Sequence, residues 1–491
     1  QELGNMKDAG SLYGAIIYNK APIVMRQLEQ LAGEEDLREA LRIYLKEFSW
    51  DNARWDDLIA IIEKVTRKPL EEWSRMWVRE AGMPLITPVV RRQDADMKEA
   101  AKGQAIAEQP ATKQSYRISF REDDPAGMLR HWPQTLQTMV ITETDTLTGE
   151  VTPANKRSFL TTAGEPLCII PDIQGRAYGT FLLDSATAAY LPEHINDFRD
   201  PLLRGILWIN MHENLLKGTV SPAAYYDAIF AALQTEEELQ LRNYLAGRLG
   251  YVYWHHLSDS ARAGFAPDAE AMIWQKLITA ETASEKRQWF GLFRNVAVTE
   301  SGLSRLRNMW KRGELPGTVA KESPGSGPVR LGEDEMSVLA LTLALSNHPD
   351  APAVIADQHA RITTADRLRR FDFVLPSVSP DQAVRDEFFN SLRDPANREH
   401  EPWVLEALGY LHHPSVAIRA EHYIRPSLEL LEEIKTTGDI FFPGGWISTT
   451  LAGHHSDSAR EIVESFMEER PDYPPDLKLK ILQAADHLIR E

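Results

Sequence analysis

Cysteine is nearly absent: Cys168 is the only one in 491 residues. A single thiol excludes a disulfide framework and a thiolate metal cluster within the chain. Long apolar runs are missing as well, and none approaches the ~20 residues that span a bilayer. No signal peptide is visible. Positive charge is in short supply, with 54 Lys and Arg against 72 Asp and Glu and a net charge of −18. Basic residues form no concentrated run among aromatics, so neither a nucleic-acid partner nor an anionic membrane surface is expected. What is present is the balance of an ordinary globular protein, 43% hydrophobic and 26% charged, long enough for about three domains.

Several catalytic signatures are also missing. The zinc motif H-E-x-x-H needs two histidines four apart so that both imidazoles face one metal. His212-Glu213 is followed at the fourth position by Leu216, and His400-Glu401 by Val404, so neither is a zinc site. The inverse motif, a phosphate-binding P-loop, a dinucleotide fingerprint and a nucleophile elbow are absent. Three His-His pairs remain: His255-His256, His412-His413 and His454-His455. Neighbours on a helix point roughly 100° apart and rarely chelate one ion, so surface or helix-end histidines are expected. His212 lies one position off its helix's apolar stripe and is expected to be solvated or at a boundary. PGSGP at 324–328 reads as a loop.

Residues 1–84 read as helices. Ile17, Ala21, Val24, Leu28 and Leu31 line one face of the first. Pro22 interrupts it by withholding a hydrogen bond from the Tyr18 carbonyl four residues back. Tyr18 therefore sits at a helix break. Glu34 to Glu47 and about Trp55 to Val65 form two more helices, and Pro69 opens another that stops at Gly82. After Pro84 the apolar spacing changes to two, in SYRISFR, TMVITE, PLCIIPD and AYGTFLLD, which predicts a small antiparallel sheet domain. Residues 91–114 look like an exposed insertion. From about 186 onward, helical stripes such as Leu203, Leu207, Met211 and Leu215 follow one another, as successive helix pairs in an α-solenoid do. No strict period repeats.

The segment LYGAIIYNKAPIVMRQLEQLAGEEDLREALRIYLKEFSWDNARWDDLIAIIEKVTRKPLEEWSRMWVREAGMP carries a specific resemblance. It holds Tyr18-Asn19-Lys20-Ala21, Leu28-Glu29, Gly33-Glu34, Tyr44-Leu45, Asp56-Asp57, Trp73 with Trp77, and Gly82-Met83-Pro84 in order. This series resembles the stretch downstream of the zinc site in the aminopeptidase N family of zinc metallopeptidases. PDIQGRAYGTFLLD at 171–184 is similar to the end of that family's β-sandwich, with Asp172 in place of its Asn. RDPLLRGILWINMHENLLKG, ESGLSRLRNMWKRGELPG and FFPGGWISTT resemble parts of its helical C-terminal domain.

The resemblance implies a mainly α chain. Residues 1–84 would be the C-terminal part of a thermolysin-like catalytic domain, 85–185 a β-sandwich, and 186–491 an α-solenoid of HEAT-like helix pairs. It implies an aminopeptidase acting on peptides with a free N-terminus, with Tyr18 stabilising the tetrahedral oxyanion. Tyr13 and Lys20 are read as structural. The zinc ligands would lie upstream of Gln1, in a missing N-terminal half. Residues 1–491 are thus read as a fragment that carries no metal ligand and is inactive alone. A non-catalytic α-solenoid that binds peptides or proteins is the alternative.

Overall fold

The computed structural model describes residues 16–94, 114–153, 155–318 and 327–490. Tyr13, most of the 91–114 insertion and the start of PGSGP lie outside them. The chain divides into two compact units, residues 1–228 and 229–491.

The first unit opens with helices Ala21–Ala32, Glu34–Glu47 and Trp55–Thr66. Gly33 alone separates the first two, at φ +93°, a conformation that L side chains rarely adopt. The next helix starts at Glu71, two residues later than Pro69 would place it. Its start is set by the Glu63 carboxylate, which accepts the Leu70 and Glu71 N–H groups at 2.6 and 3.1 Å. It widens to a π turn at Arg75–Arg79 before Gly82. Leu28, Ile62, Trp73 and Trp77 bury their apolar faces together, joined by Trp132 from beyond the first strand.

Seven strands follow among the described residues: β1 (Leu85–Asp94), β2 (Gln114–Asp123), β3 (Leu136–Thr142), β4 (Thr146–Val151), β5 (Leu160–Thr162), β6 (Pro166–Ile170) and β7 (Thr180–Phe181). They form two sheets, of orders β5-β2-β1-β7 and β4-β3-β6. β1 runs antiparallel to β2, with Leu85 opposite Asp123, and parallel to β7. Ile86, Ile118 and Phe120 of one sheet share a core with Leu136, Val140 and Ile169 of the other. The period of two produces this directly: along β3 every second residue is buried.

AYGTFLLD contributes only two strand residues, because the loop before it is organised by Asp172. That buried carboxylate accepts N–H groups of Gln174, Arg176 and Ala177 at 3.1, 2.8 and 2.9 Å. A carboxylate accepts more hydrogen bonds than the amide it replaces in the family pattern. Asp172→Ala would orphan three donors and is expected to lower stability by about 3 kcal/mol, with Asp172→Asn intermediate. Urea unfolding midpoints check this, and an unchanged midpoint for the alanine variant would refute it.

Helix Pro201–Leu216 corrects one expectation. His212 is buried, 5% exposed, with its ring 5.9 Å from that of Tyr225. The helix is covered on more than its apolar stripe. Asn214, also buried, donates to the Phe181 carbonyl and accepts the Leu183 N–H.

The second unit is helical throughout its described residues, apart from an isolated bridge of Glu314 with Arg330. Its helices pack against their sequence neighbours and against helices further along the chain. Ser258, Thr282, Thr299 and Ser456 each cap a helix N-terminus through a side-chain oxygen. Buried Lys286 gathers the carbonyls of Leu277, Ile278 and Pro316 at 2.9–3.0 Å. It thereby satisfies acceptors at the C-terminus of helix Asp259–Thr279.

The histidine pairs do lie at helix ends, but two of their members are not on the surface. His412 and His454, each 1% exposed, hydrogen-bond ring to ring at 2.9 Å. His487 reaches the Leu451 and His454 carbonyls at 3.1 and 3.0 Å. Three helix termini meet there, and the helix-end histidines His412 and His454 become buried partners of one another.

Candidate active site

Tyr18 lies in a π-helical turn, Ile16–Lys20, that leads directly into helix Ala21–Ala32. Pro22 falls in the first turn of that helix, where its missing N–H costs nothing. The chain therefore changes helical pitch at the proline instead of breaking. Such π turns are frequent at functional sites. Tyr18 is 67% exposed, and Asn19 is exposed beside it.

The turn carrying the exposed ring is held from below. Lys20 is half-buried, its Nζ 5.6 Å from the centre of the Tyr178 ring. Burial lowers the Lys20 pKa and raises that of Tyr178. Tyr178 packs edge-on against Trp77 with centroids 6.0 Å apart. About two turns beyond Lys20, Gln27 donates to the Arg176 carbonyl at 3.0 Å and to Gln134 Oε1 at 3.4 Å. Gln134 in turn accepts the Tyr178 N–H and donates to the Tyr178 carbonyl, both at 3.0 Å. The Asp172 loop, the strand region and the first helix thus hold the residues flanking Tyr18 while its own ring stays open to solvent. Sequence reading identified Tyr18 and Lys20 but missed Gln27, Gln134 and Tyr178. These partners lie 44 to 149 positions apart, and no local pattern links them.

Cys168 is buried, and burial pushes its thiol up to about 12, which leaves it unreactive. Among the described residues, no group of three or more His, Cys, Asp or Glu side chains is placed to hold a metal ion. None of the described helices is long and apolar enough to cross a membrane.

The family model "Peptidase family M1 domain" matches residues 1–77. Aminopeptidase N of Streptomyces lividans is 22% identical over 316 residues, covering 62% of this chain and 36% of that protein. Aminopeptidase M1-C of Oryza sativa subsp. japonica is 28% identical over 98 residues, covering 20% of this chain and 11% of that protein. The fold is similar to that of Legionella pneumophila aminopeptidase A, solved in complex with aspartic acid. The TM-score is 0.50 at 11% identity, over 97% of this chain and 57% of that one. Each match spans less than two thirds of the relative's own length. Residues 1–77 are thus similar to a peptidase family M1 domain, and the chain is similar to part of aminopeptidase N.

Proposed function

We propose that the chain serves a zinc-dependent aminopeptidase, with Tyr18 donating its hydroxyl hydrogen bond to the oxyanion that forms as a peptide carbonyl is attacked. The observation that carries this reading is an exposed phenol on a braced π turn, inside the segment that matches the peptidase family. A phenolic O–H on a rigid ring is a suitable donor to developing negative charge, and its position is set before the reaction begins. Among the described residues no group of three or more His, Cys, Asp or Glu is placed to hold a metal ion, and this reading assigns the zinc ligands to a longer polypeptide. In this reading residues 1–84 complete the catalytic domain, 85–185 form the β-sandwich that braces it, and 186–491 restrict access to short peptides with a free N-terminus.

The test compares residues 1–491 with the product of the complete reading frame, using aminoacyl-p-nitroanilides and metal analysis. Only the longer polypeptide is expected to hydrolyse them and to hold stoichiometric zinc. Turnover by residues 1–491 alone would overturn the reading. A longer polypeptide that binds peptides without cleaving them would favour a non-catalytic binding module.

A further inference from the structure

The second unit carries a cavity of about 1040 Å³ that opens to solvent, at the upper end of the size range of small-molecule sites. It is framed by the last turns of helices Leu239–His255 and Ala283–Val296, and by helices Glu333–Leu345, Ala365–Val374 and Glu401–Leu411. Its lining is of two kinds. Trp254, Trp403 and Tyr410 offer aromatic surface, with Val338 and Leu345 between them. The remainder includes three carboxylates and four arginines.

Charge pairing inside the cavity is uneven. Arg370 donates to both carboxylate oxygens of Glu406 at 2.6 and 2.9 Å and to Asp334 at 3.1 Å. Arg367 is held by Glu333 and Asp334, each at 3.2 Å. Asp366 is paired with Arg369 at 2.9 Å. Every carboxylate of the lining thus already holds an arginine. Arg294 and Arg419 also line the cavity, and neither has an ion-pair partner among the described residues. In a chain of net charge −18, the unmatched charge of this cavity is positive.

We propose that this cavity binds a small aromatic carboxylate, its anion on Arg294 and its ring between Trp254, Trp403 and Tyr410. Arg294 is half-buried at the end of its helix, where a guanidinium forks onto a carboxylate more strongly than it would in open water. Tyr410 adds a neutral donor, since burial pushes its hydroxyl up to about 12. Arg419 is exposed, which leaves one half-buried unmatched guanidinium for one negative charge and favours a monoanion over a phosphate dianion. Flat rings suit walls built of two indoles and a phenol. The site lies wholly within residues 229–491, so it stands or falls independently of Tyr18.

Isothermal titration of the 491-residue chain with 3-phenylpropionate, its uncharged amide and phenyl phosphate tests the assignment. The carboxylate is expected to bind in the low-millimolar range or tighter. The amide and the phosphate are expected to be weaker by about 10- to 100-fold, the worth of one charged hydrogen-bonded contact. Arg294→Gln should impose a similar loss, whereas Arg312→Gln, on the exposed end of another helix, should bind as the parent does. Val338→Phe places a ring in the space between the aromatic walls while leaving Arg294 in place. It should abolish binding and gives the answer if Arg294→Gln fails to fold. Equal binding of acid and amide, tighter binding of the phosphate, or unchanged binding in Val338→Phe would overturn the proposal.

Discussion

Replacing Tyr18 by phenylalanine in the full-length polypeptide is expected to lower kcat by about 10²–10³ with little change in KM. The variant keeps the ring and deletes only the donor. A hydrogen bond that strengthens as charge develops on the carbonyl oxygen acts on the transition state and barely on the bound substrate. Because the ring is exposed and makes no core contact, stability should move by less than about 0.5 kcal/mol, so lost rate cannot be ascribed to unfolding. Lys20→Met provides the contrast. It removes the contact with the Tyr178 ring and should lower thermal stability while leaving more activity than Tyr18→Phe. If Tyr18→Phe turned over at the parent rate, the hydroxyl would have no part in the chemistry.

Acid should unfold the second unit well before its carboxylates are protonated. His454 is buried and held neutral, with burial pulling its pKa from 6.5 down to about 4. Burial likewise lowers His412 well below its usual range. Glu421 opposes the shift of His454, while His455 and His487 add to it; Arg385, His422 and His454 itself act on His412 in the same direction as burial. Between pH 4 and 6.5 the unfolded chain therefore binds protons that the folded chain refuses. The stabilisation is complete above about pH 6.5 and drains away as pH falls towards 4. At about 1.4 kcal/mol per pKa unit, His454 alone contributes roughly 3 kcal/mol across that window. Urea unfolding measured from pH 7.5 to 4.5 should show this slope. His454→Gln keeps an amide at the site that cannot titrate, and it should flatten the curve. A slope identical to the parent's would mean that the pair is not what titrates.

Much of the local structure was legible in the residues. The limits of helix Glu34–Glu47 follow from the apolar spacing of Leu37, Leu41 and Leu45 after Gly33. Alternation of apolar residues located β2, β3 and β6 within a residue or two. Pro22 marked where the first helix must change, although not that a π turn would absorb the change. The ordered motifs around Tyr18 carry the resemblance to a peptidase family in the sequence alone.

Tertiary structure decided the rest. Which face of a helix is wet depends on what packs against it, and so His212, His412 and His454 are buried where spacing alone left them outside. Asp172 looked like a departure from a family pattern and proves to be the acceptor that shapes a loop. The pairing that leaves Arg294 uncompensated involves Asp334, Arg370 and Glu406, brought together from three helices. Helix and strand preferences act over a few residues and can be read along the chain. Burial and charge pairing depend on neighbours dozens of positions away, which only the folded chain specifies.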